Sequence, residues 1–554
     1  MEERSDPLSC REERLAIIAD DFTGAADAGV QFAARGRPCA LVTSPASIAT
    51  ASGWAEVVTI DTESRSLSPE AAAAAVRSAV AALRAAGFER FYKKIDSTLR
   101  GNLGAEIDAL MEEAGCGLAL VAPAAPRNLR TVVEGECFVA GVSLAGTEYA
   151  ARSEGGEPTS SVAALIARQT RRPIASIPLD EVRRGAASLA RRIEALRGEG
   201  AEIVILDAAT IEDLMIAADA ARSIEGGADA PPGARLSAWS ALGAGSPPGS
   251  AADRGPSGAH GAGLPLLYVG SSGLAEALAA QERRSTALEG GTRPNAPTST
   301  HPRAARKPRE AHPISPAVGP RPDAQPAALH QPSPEPQEAP SPPRAGRESP
   351  VLFLIGSRSA VAQAQADTLL RTGGVFEAVV DSASAFASPA REAERIEAEV
   401  AARSQRRHVL VRVAGGELVA ARGAAPPAAD GPPARASAAT SEPGPSQGAA
   451  VPPPDRSGGE KLIASLLGEL ARRLLGAERF DLVAATGGDT AVAAAAALEL
   501  SALRLEGEIL PGVVLSTASS PRLNRTISLV TKAGGFGEPD ALRRILTAWT
   551  GEVP

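Results

Sequence analysis

The sequence predicts an α/β protein of two domains, each built on a mostly parallel sheet that helices flank. Short apolar, β-branched runs alternate with Ala-, Leu- and Arg-rich segments of helical length, a pattern typical of parallel sheets covered on both faces. With 554 residues, the chain also exceeds the roughly 250–300 residues at which a single core stops growing. Two domains joined by a linker therefore follow from pattern and length together.

Eight strands and one hairpin are predicted in the first half of the chain. The strands are Leu15–Ala19, Ala40–Thr43, Val57–Asp61, Phe91–Ile95, Leu118–Val121, Pro173–Ile177, Ile203–Asp207 and Leu266–Val269. Alternating apolar residues around Gly135 and Gly141 predict a hairpin over 131–144. The second half repeats the alternation, with strands predicted at Val351–Ile355, Phe376–Val380, His408–Val413, Leu482–Ala485, Gly512–Leu515 and Ile527–Val530.

Three tracts rich in Gly, Pro, Ser and Ala interrupt this alternation, at about 224–263, 286–350 and 424–459. Such compositions cannot bury enough apolar surface to offset the entropy of ordering, so we expect disorder in all three. The resulting division is a flexible N-terminus over 1–14, an N-terminal domain over 15–285, a disordered linker over 286–350 and a C-terminal domain over 351–554.

Overall composition argues against several classes of function. A net charge of −8 gives no general attraction to nucleic acid or to anionic membranes, so any anion site must be local. Four widely spaced cysteines without a C-x-x-C or His/Cys cluster argue against structural zinc and a disulfide framework. The chain has no run of about 18 apolar residues and no apolar signal segment at its start, which predicts a cytoplasmic protein.

The most polar strand end is Lys93–Asn102, which packs two lysines, an aspartate, two hydroxyls, an arginine, a glycine and an amide into one strand-to-helix turn. Ligands of α/β sheets bind beyond the carboxyl ends of strands, where the next helix adds free N–H groups and a positive dipole end. The turn therefore predicts a site for a small anionic molecule. The alternative is a capped surface turn with solvated charges.

A second polar turn follows the first strand, at Asp20–Asp27. The adjacent carboxylates of Asp20 and Asp21 repel each other unless a cation, a donor or water lies between them. Their functional interpretation is a base, or acceptors for substrate hydroxyls. The alternative is that Asp21 or Thr23 only caps the following helix while Asp20 is solvated.

Four glycine turns at predicted strand ends favour a nucleotide site. They lie at Gly270–Gly273, Gly356–Ser359, Thr486–Thr490 and Gly534–Gly537. Glycines let backbone N–H groups approach phosphate oxygens closely, and a helix N-terminus favours negative charge, although each turn alone would also serve an ordinary strand-to-helix connection. Lys532 is expected to meet a phosphate as a point charge. Neither G-x-x-x-x-G-K-[ST] nor a G-x-G-x-x-G after the first strand occurs, which argues against a Walker-type kinase and a dinucleotide fold.

Six blocks together resemble the four-carbon acid sugar kinases. They are Ile18–Asp27, Lys93–Asn102, Pro126–Val132 with Gly135, Val269–Leu274, Thr486–Ala491 and Thr531–Gly537, in a resemblance that runs from about Leu15 to Leu546. The resemblance implies that the N-terminal domain holds the acid sugar, the C-terminal domain holds ATP, and the active site lies in the cleft between them. It also implies ATP contacts at Ser272, Gly487, Gly488, Asp489, Thr490 and Gly534.

Granted that assignment, residue types suggest the chemistry. Lys94 and Arg100 would pair with the substrate carboxylate or the transferring phosphoryl group. Asp20, Asp21 and Asp96 would accept hydrogen bonds from sugar hydroxyls, and one of them, for which we favour Asp21, would take the proton of the attacking hydroxyl. The substrate-binding set is completed by Thr23, Ser97 and Arg130, although Arg130 has the alternative of a surface arginine on the hairpin. Mg²⁺ is implied by the nucleotide, with Asp489 a candidate ligand directly or through water.

The sequence thus predicts ATP-dependent phosphorylation of the terminal hydroxyl of a four-carbon sugar acid: threonate, erythronate or a 3-oxo-tetronate. Its expected partners are the sugar acid and ATP, without nucleic acid or membrane, and a homo-oligomer is left open. Two alternatives stand beside it: a dinucleotide-dependent α/β oxidoreductase, and a non-catalytic regulatory protein that binds the sugar acid. The stereochemistry of the substrate and the metal ligands are not determined by the sequence.

Overall fold

The structure is a computed structural model that describes residues 14–150, 157–226, 265–289, 349–404, 407–413, 456–477 and 480–551. The N-terminal residues 1–13 and most of the three low-complexity tracts lie outside the described residues, and so do the expectations of flexibility and disorder for them. At the edges of the tracts, the helices extend a few residues beyond the predicted limits, to Gly226 and Glu289 and from Arg456.

The first half of the chain contains eleven strands and nine helices among its described residues. The strands are β1 Leu15–Ala19, β2 Cys39–Val42, β3 Val57–Asp61, β4 Arg90–Lys94, β5 Leu118–Ala122, β6 Arg130–Val133, β7 Glu136–Val139, β8 Val142–Ser143, β9 Ile174–Ile177, β10 Ile203–Leu206 and β11 Leu266–Gly270. The helices are α1 Phe22–Ala33, α2 Ile48–Ser52, α3 Pro69–Ala85, α4 Leu103–Ala114, α5 Val162–Ala167, α6 Leu179–Val182, α7 Ala186–Gly198, α8 Ile211–Gly226 and α9 Ser272–Glu289. All eight predicted strands are present within one residue, and the predicted hairpin is the small sheet β6-β7-β8.

The second half contributes seven strands and six helices among its described residues. The strands are β12 Val351–Ile355, β13 Val375–Val380, β14 His408–Val413, β15 Leu482–Thr486, β16 Ala502–Leu510, β17 Val513–Ser520 and β18 Arg525–Lys532. The helices are α10 Ala360–Arg371, α11 Ser382–Ala387, α12 Pro389–Arg403, α13 Arg456–Gly476, α14 Gly488–Ala497 and α15 Ala541–Thr550. The sequence did not predict β16, and β17 continues five residues beyond its predicted end.

Local signals explain where several helices begin and end. Ser68 caps α3 by accepting from the Ala71 amide, and Pro69, which lacks an N–H, occupies the first helical position where none is needed. A different helix, α4, ends at Gly115, whose φ of 71° is the left-handed conformation that favours glycine. Such stops return the chain to the sheet after each helix.

The predicted α/β class is confirmed, but the two predicted sheets are joined into one of 15 strands, in the order β13-β14-β12-β15-β18-β17-β16-β2-β3-β1-β4-β11-β5-β10-β9. In this spatial order, the strands β2, β3, β1, β4, β11, β5, β10 and β9 pair in parallel. The strands β13, β14, β12, β15 and β18 also pair in parallel. Antiparallel β16 joins the halves, with its Ala502 opposite Val42 of β2. The halves are therefore held by main-chain hydrogen bonds as well as by side chains.

Helices cover both faces of this sheet, and the inner strands are buried throughout, as in β1, β3 and β5. Because neighbouring parallel strands end at the same edge, the turns after β1, β3, β4 and β11 lie together. The turns after β12, β15 and β18 do the same in the second half. The described part of the chain has no helix with both the length and the apolar character needed to cross a membrane.

Candidate active site

A cleft of about 750 Å³ separates the strand-end turns of the two halves. Its lining includes most of the predicted site residues: Asp21, Thr23, Lys94, Asp96, Ser97, Arg100, Ser272, Gly487, Gly488, Asp489, Thr490 and Gly534. The structure thus brings the two predicted half-sites to one cavity. Two predicted residues, Asp20 and Arg130, do not line it.

Across the cleft, the turns of the two halves come close to each other at Gly488 and Gly535. A methyl group built on Gly488, in the turn after β15, would stand 3.8 Å from both Asp21 Oδ2 and Thr23 Oγ1 of the first half. One built on Gly535 would stand 3.8 Å from the Tyr149 hydroxyl. A molecule bound at one glycine turn would therefore face the acidic turn directly.

Asp21 caps α1, as the alternative interpretation expected, and it also lines the cleft; its role as a base stays a prediction. Its Oδ1 accepts from the Gly24 amide at 3.1 Å, and its Oδ2 accepts from Thr23 Oγ1 at 2.7 Å. Burial raises the pKa of Asp21, but the positive charges of Arg65 and Lys94 and the Thr23 hydrogen bond outweigh burial and hold that pKa below its usual value. At neutral pH the carboxylate is ionised and can accept a proton.

Arg65 is the main residue that the sequence interpretation missed. It donates to both oxygens of Asp20, at 2.7 and 2.9 Å, and to Asp21 Oδ1 at 2.7 Å. Both carboxylate oxygens of Asp20 therefore accept from Arg65, and the residue is only 2% exposed. Asp20 is consequently neither a cleft-lining acceptor nor a solvated side chain. A signal was available: Arg65 ends the polar run Thr62–Arg65 immediately after a predicted strand, the same position in a βα unit as the two turns that were singled out.

The two adjacent lysines of β4 have different surroundings, because successive side chains of a strand point to opposite faces. Lys94 lines the cleft, donates to the Ile95 carbonyl at 3.0 Å, and reaches within 2.8 Å of where a Gly24 Cβ would stand. Lys93 is fully buried, with its Nζ 2.5 Å from Glu106 Oε2. Of the two lysines, only Lys94 therefore lines the cleft.

Asp96 and Arg100 form an ion pair at the mouth of the β4 turn. Burial raises the pKa of Asp96, but Arg100 and Arg65, with a 2.5 Å hydrogen bond from Thr98, hold that pKa well below its usual range. Arg100 uses its Nε for this pair, and no acceptor among the described residues bonds its terminal nitrogens. Those nitrogens remain available to an anionic ligand.

Arg130 lies beside the cleft and not at the surface that the alternative interpretation expected. It is 7% exposed, its guanidinium lies 4.8 Å from the Phe536 ring and 5.8 Å from the Tyr149 ring, and it donates to the Asn128 carbonyl. Because Phe536 belongs to the second half, Arg130 links the hairpin to a glycine turn by cation–π contact. A direct contact of Arg130 with substrate stays a prediction.

On the second half, the glycine turns are packed so closely that side chains would not fit. A Cβ on Gly534 would stand 2.6 Å from Ser357 Cβ, and one on Gly356 would overlap Thr490 Oγ1. Gly487, with φ 104°, precedes α14, whose N-terminus opens into the cleft at Gly488 and Asp489. The result is a backbone-lined concavity at a helix N-terminus, which suits phosphate.

Burial raises the pKa values of two acidic groups near this concavity. Burial, with the negative charges of Glu460 and Asp21, raises the pKa of Asp489. Burial likewise raises the pKa of Asp27, despite Lys94 and a hydrogen bond from Ser272. Within the described ranges, no group of three His, Cys, Asp or Glu side chains could hold a metal ion by itself.

Asp27 is a second cleft residue that the predicted set lacks, and Tyr149, Ser357 and Arg358 are others. For Asp27 the signal was its spacing from Thr23, because residues four apart share one helix face. Lys532 corrects the expectation in the other direction. It is buried under the last glycine turn and donates to the Ala533 carbonyl at 2.8 Å, so it does not line the cleft, and burial lowers its pKa to about 8.

Two family models match the chain. One, described as a sugar-binding N-terminal domain, matches residues 15–230, and the other, described as a nucleotide-binding C-terminal domain, matches residues 352–542. Two solved proteins show the same fold: one from Salmonella typhimurium LT2, with a TM-score of 0.63 and 20% identity over 97% of this chain and 99% of that one; and one from Haemophilus influenzae, with a TM-score of 0.56 and 18% identity over 96% and 99%.

Curated relatives share more sequence. The chain is 39% identical to a D-threonate kinase of Salmonella typhimurium over 209 residues, 38% of this chain and 48% of that protein. It is 36% identical to a D-erythronate kinase of Heliobacterium modesticaldum (36% and 46% covered) and 33% identical to a 3-oxo-tetronate kinase of Burkholderia multivorans (38% and 50% covered). The chain thus spans about half the length of the curated relatives it matches. With both domain models matched in order, the chain belongs to the four-carbon acid sugar kinase family.

Proposed function

We propose that this protein is an ATP-dependent kinase that phosphorylates the terminal hydroxyl of a four-carbon sugar acid: threonate, erythronate or a 3-oxo-tetronate. The observation that carries the proposal is the position of Asp21, an ionised carboxylate at the floor of the cleft, against Gly488 at the N-terminus of α14. A base and an anion-binding helix end on opposite walls of one cleft suit phosphoryl transfer from a nucleotide to a hydroxyl. The names of the curated relatives support the substrate class.

On the first half, the sugar acid would lie over the turns after β1 and β4. The ammonium of Lys94 and the free terminal nitrogens of Arg100 would bind its carboxylate. Thr23 and Ser97 would hydrogen-bond its hydroxyls. This half therefore corresponds to the acid-sugar-binding domain, and the second half to the nucleotide-binding domain.

On the second half, the glycine turns fit the phosphates of ATP, because Gly356, Gly488 and Gly534 line the cleft beside the N-terminus of α14. Gly487, Gly488 and Thr490 would contact the nucleotide from the start of α14, and Ser272 from the start of α9. When bound, ATP supplies the phosphoryl group and Mg²⁺ neutralises its charge. Asp489 fits Mg²⁺ as a lone carboxylate ligand, since this ion is commonly held by one or two carboxylates plus substrate phosphates.

Asp21 would take the proton of the attacking hydroxyl. Arg65 and Lys94 keep it ionised, and Thr23 fixes one of its oxygens. Phosphoryl transfer depends mainly on positioning and charge stabilisation, so an ionised carboxylate aimed at the hydroxyl is sufficient even with a lowered pKa. Asp96 would act by holding Arg100 in position through their ion pair. The cytoplasmic location and the oligomeric state stay predictions.

The test is an assay of the purified protein with Mg-ATP and D- and L-threonate, D- and L-erythronate and 3-oxo-tetronate, followed by ADP release and product mass. Glycerate and a five-carbon aldonate serve as length controls. We expect ADP formation and a product heavier by one phosphoryl group with at least one tetronate. Absence of ADP with every tetronate would contradict the proposal. In that case, NAD(P) binding would favour the oxidoreductase, and tetronate binding without turnover would favour a regulatory protein.

A further inference from the structure

We propose that Gln365, a buried residue of α10, is a positioning residue for nucleotide binding. It holds the carbonyl groups of the glycine loop 533–538 against the protein body, so that the amide groups of the loop are left for phosphate oxygens. The inference rests on the proposed nucleotide site. It adds a residue that lies outside the cleft and outside every motif that the sequence analysis singled out.

The carbonyl groups of the loop are almost all occupied by donors of the body. Gln365 Nε2 lies 3.1, 2.9 and 2.9 Å from the carbonyl oxygens of Phe536, Gly537 and Glu538. Ser359 Oγ donates to the Gly534 carbonyl at 2.9 Å, and Lys532 Nζ to that of Ala533 at 2.8 Å. Five of the six carbonyls from 533 to 538 are thus fixed by three side chains.

The amide groups of the same loop are left without such partners. Over the described residues, nothing accepts a hydrogen bond from the amides of Gly534, Gly535 or Gly537, while that of Phe536 makes only a 3.4 Å bond to Ala533. Residues 533–536 line the cleft. Carbonyls fixed inward and amides unbonded beside a cleft make a concavity that binds anions through consecutive N–H groups.

The cost of this arrangement at Gln365 supports a functional role. Its side chain is fully buried, and its Oε1 has no hydrogen-bond partner. The orientation of the amide is fixed by its neighbours, because the opposite orientation would place Oε1 against three carbonyl oxygens. A buried acceptor without a partner destabilises the fold. The side chain therefore leaves one buried acceptor unbonded, while its two N–H groups are shared among three loop carbonyls.

The first experiment compares Gln365→Met with wild type by calorimetric binding of Mg-ATP and of D-threonate, together with the melting temperature. Methionine keeps the length and volume of the side chain and removes the donor. The matched control is Gln281→Met, because Gln281 is likewise buried and donates to the Ala218 carbonyl, but in the first half and outside the cleft. We expect the Kd of Mg-ATP to rise about 10- to 100-fold in Gln365→Met only. The Kd of D-threonate should stay within about twofold of wild type in both variants.

A merely structural role predicts instead that both variants lose thermal stability and that neither changes the affinity for Mg-ATP, and this result would overturn the inference. Hydrogen exchange on the wild-type protein gives a test that needs no variant. Mg-ATP should slow exchange of the Gly534 and Gly535 amides, which line the cleft, and leave the hairpin turn at Gly135 unchanged. Unprotected loop amides in the nucleotide complex would also overturn it.

These results separate the inference from the kinase proposal. Nucleotide binding that depends on Gln365, without phosphorylation of any tetronate, would retain the inference and reject the kinase. Phosphorylation by wild type with unchanged Mg-ATP affinity in Gln365→Met would retain the kinase and reject the inference. A wild-type protein that binds no nucleotide would reject both.

Discussion

The guanidinium of Arg65 lies 2.7 Å from the carboxylate of Asp21, and this contact joins the turn after β3 to the turn after β1. The same guanidinium also donates hydrogen bonds to both carboxylate oxygens of Asp20, which does not line the cleft. One arginine thus resolves the repulsion between two adjacent carboxylates and fixes the charge state of the one that faces the cleft. The charge state of Asp21 would therefore depend on Arg65, from the turn after β3, as much as on the residues of its own turn.

Asp21→Asn should lower turnover by about 100- to 10,000-fold, the range expected for loss of a general base. Asparagine still caps a helix and Arg65 keeps its two bonds to Asp20, so the protein should fold and the Kd of Mg-ATP should change little. The measurements are steady-state kinetics with the tetronate found to be the substrate and calorimetry with Mg-ATP. Asp381→Asn is the control, because Asp381 caps α11 away from the cleft. Loss of Mg-ATP binding in Asp21→Asn would show that the roles of the two halves are wrongly assigned.

Arg65→Gln should move the acid limb of the kcat/KM profile to higher pH. Arg65 is the largest influence lowering the pKa of Asp21, so its removal lets burial raise that pKa. The stability supplied by the pair is present above the ordinary aspartate pKa of about 3.9 and is lost as pH falls through the lower folded pKa. Breaking it should cost about 3 kcal/mol at pH 7 and less in acid.

Arg525→Gln removes an arginine from Asp481 outside the cleft and is the control for the pH profile. Its acid limb should coincide with that of wild type. An acid limb that stays in place in Arg65→Gln would mean that Asp21 is not the group titrating there. Denaturant unfolding at pH 7 and at about pH 3, below the ordinary aspartate pKa, checks the stability component, because Asp21 is the titrating partner.

The adjacent lysines of β4 should give opposite results on substitution. Lys94→Met should abolish most sugar-acid binding with a small change in melting temperature, because its ammonium faces the cleft. Lys93→Met should leave the charge of Glu106 buried without a partner and destabilise the fold by about 3–5 kcal/mol. Thermal unfolding and tetronate calorimetry on both variants make the comparison. Equal loss of affinity in both would contradict the division of labour.

Glycine substitutions should separate two neighbours in the last glycine turn. Gly534→Ala places a Cβ 2.6 Å from Ser357 Cβ, so the turn must shift, and the KM for ATP should rise about tenfold or more. Gly535→Ala is the control, because its Cβ would meet only the Tyr149 hydroxyl at 3.8 Å, an ordinary contact. Steady-state kinetics at saturating tetronate measures both. A matching rise in Gly535→Ala would indicate a loss of loop flexibility and not a clash.

The turns that line the cleft were predictable because strand ends are marked twice in this sequence, by the apolar run that stops and by the polar or glycine residues that follow. Asp21, Lys94 and Gly488 were found this way. Arg65 satisfied the same criterion but belonged to no resembling block. The sequence pattern could not show which of Lys93 and Lys94 lines the cleft and which pairs with Glu106, since this depends on which face of β4 packs against α4.

The joining of the two sheets was missed for a different reason. Leu503 and Leu505 alternate with polar residues in β16, which is the pattern of a half-buried strand and not of the continuous apolar strands that surround it. Its partner strand β2 is more than 450 residues away in the sequence, and no local sequence pattern indicates which distant strand a given strand will pair with. Lys532 was misplaced because a strand end locates the backbone without deciding whether the side chain turns into the cleft or under it.

Glu508→Gln should stabilise the protein in alkaline but not in acidic solution. Glu508 of β16 accepts from the Gly512 amide at 2.6 Å, and burial, with the negative charge of Asp27, raises its pKa to about 7; Arg127 opposes this and Glu276 adds to it. A raised folded pKa supplies stability that is complete below the ordinary glutamate pKa of about 4.3 and is lost as pH rises through about 7.

Glutamine stays neutral, so the variant should melt higher than wild type at pH 8, by about 2–4 °C for each kcal/mol recovered, and at the same temperature at about pH 4. Scanning calorimetry between these pH values measures the difference. Glu506→Gln, on an exposed position of the same strand, should show no such pH dependence. A lower melting temperature of Glu508→Gln at pH 8 would mean that the bond from Gly512 to the ionised carboxylate outweighs its burial.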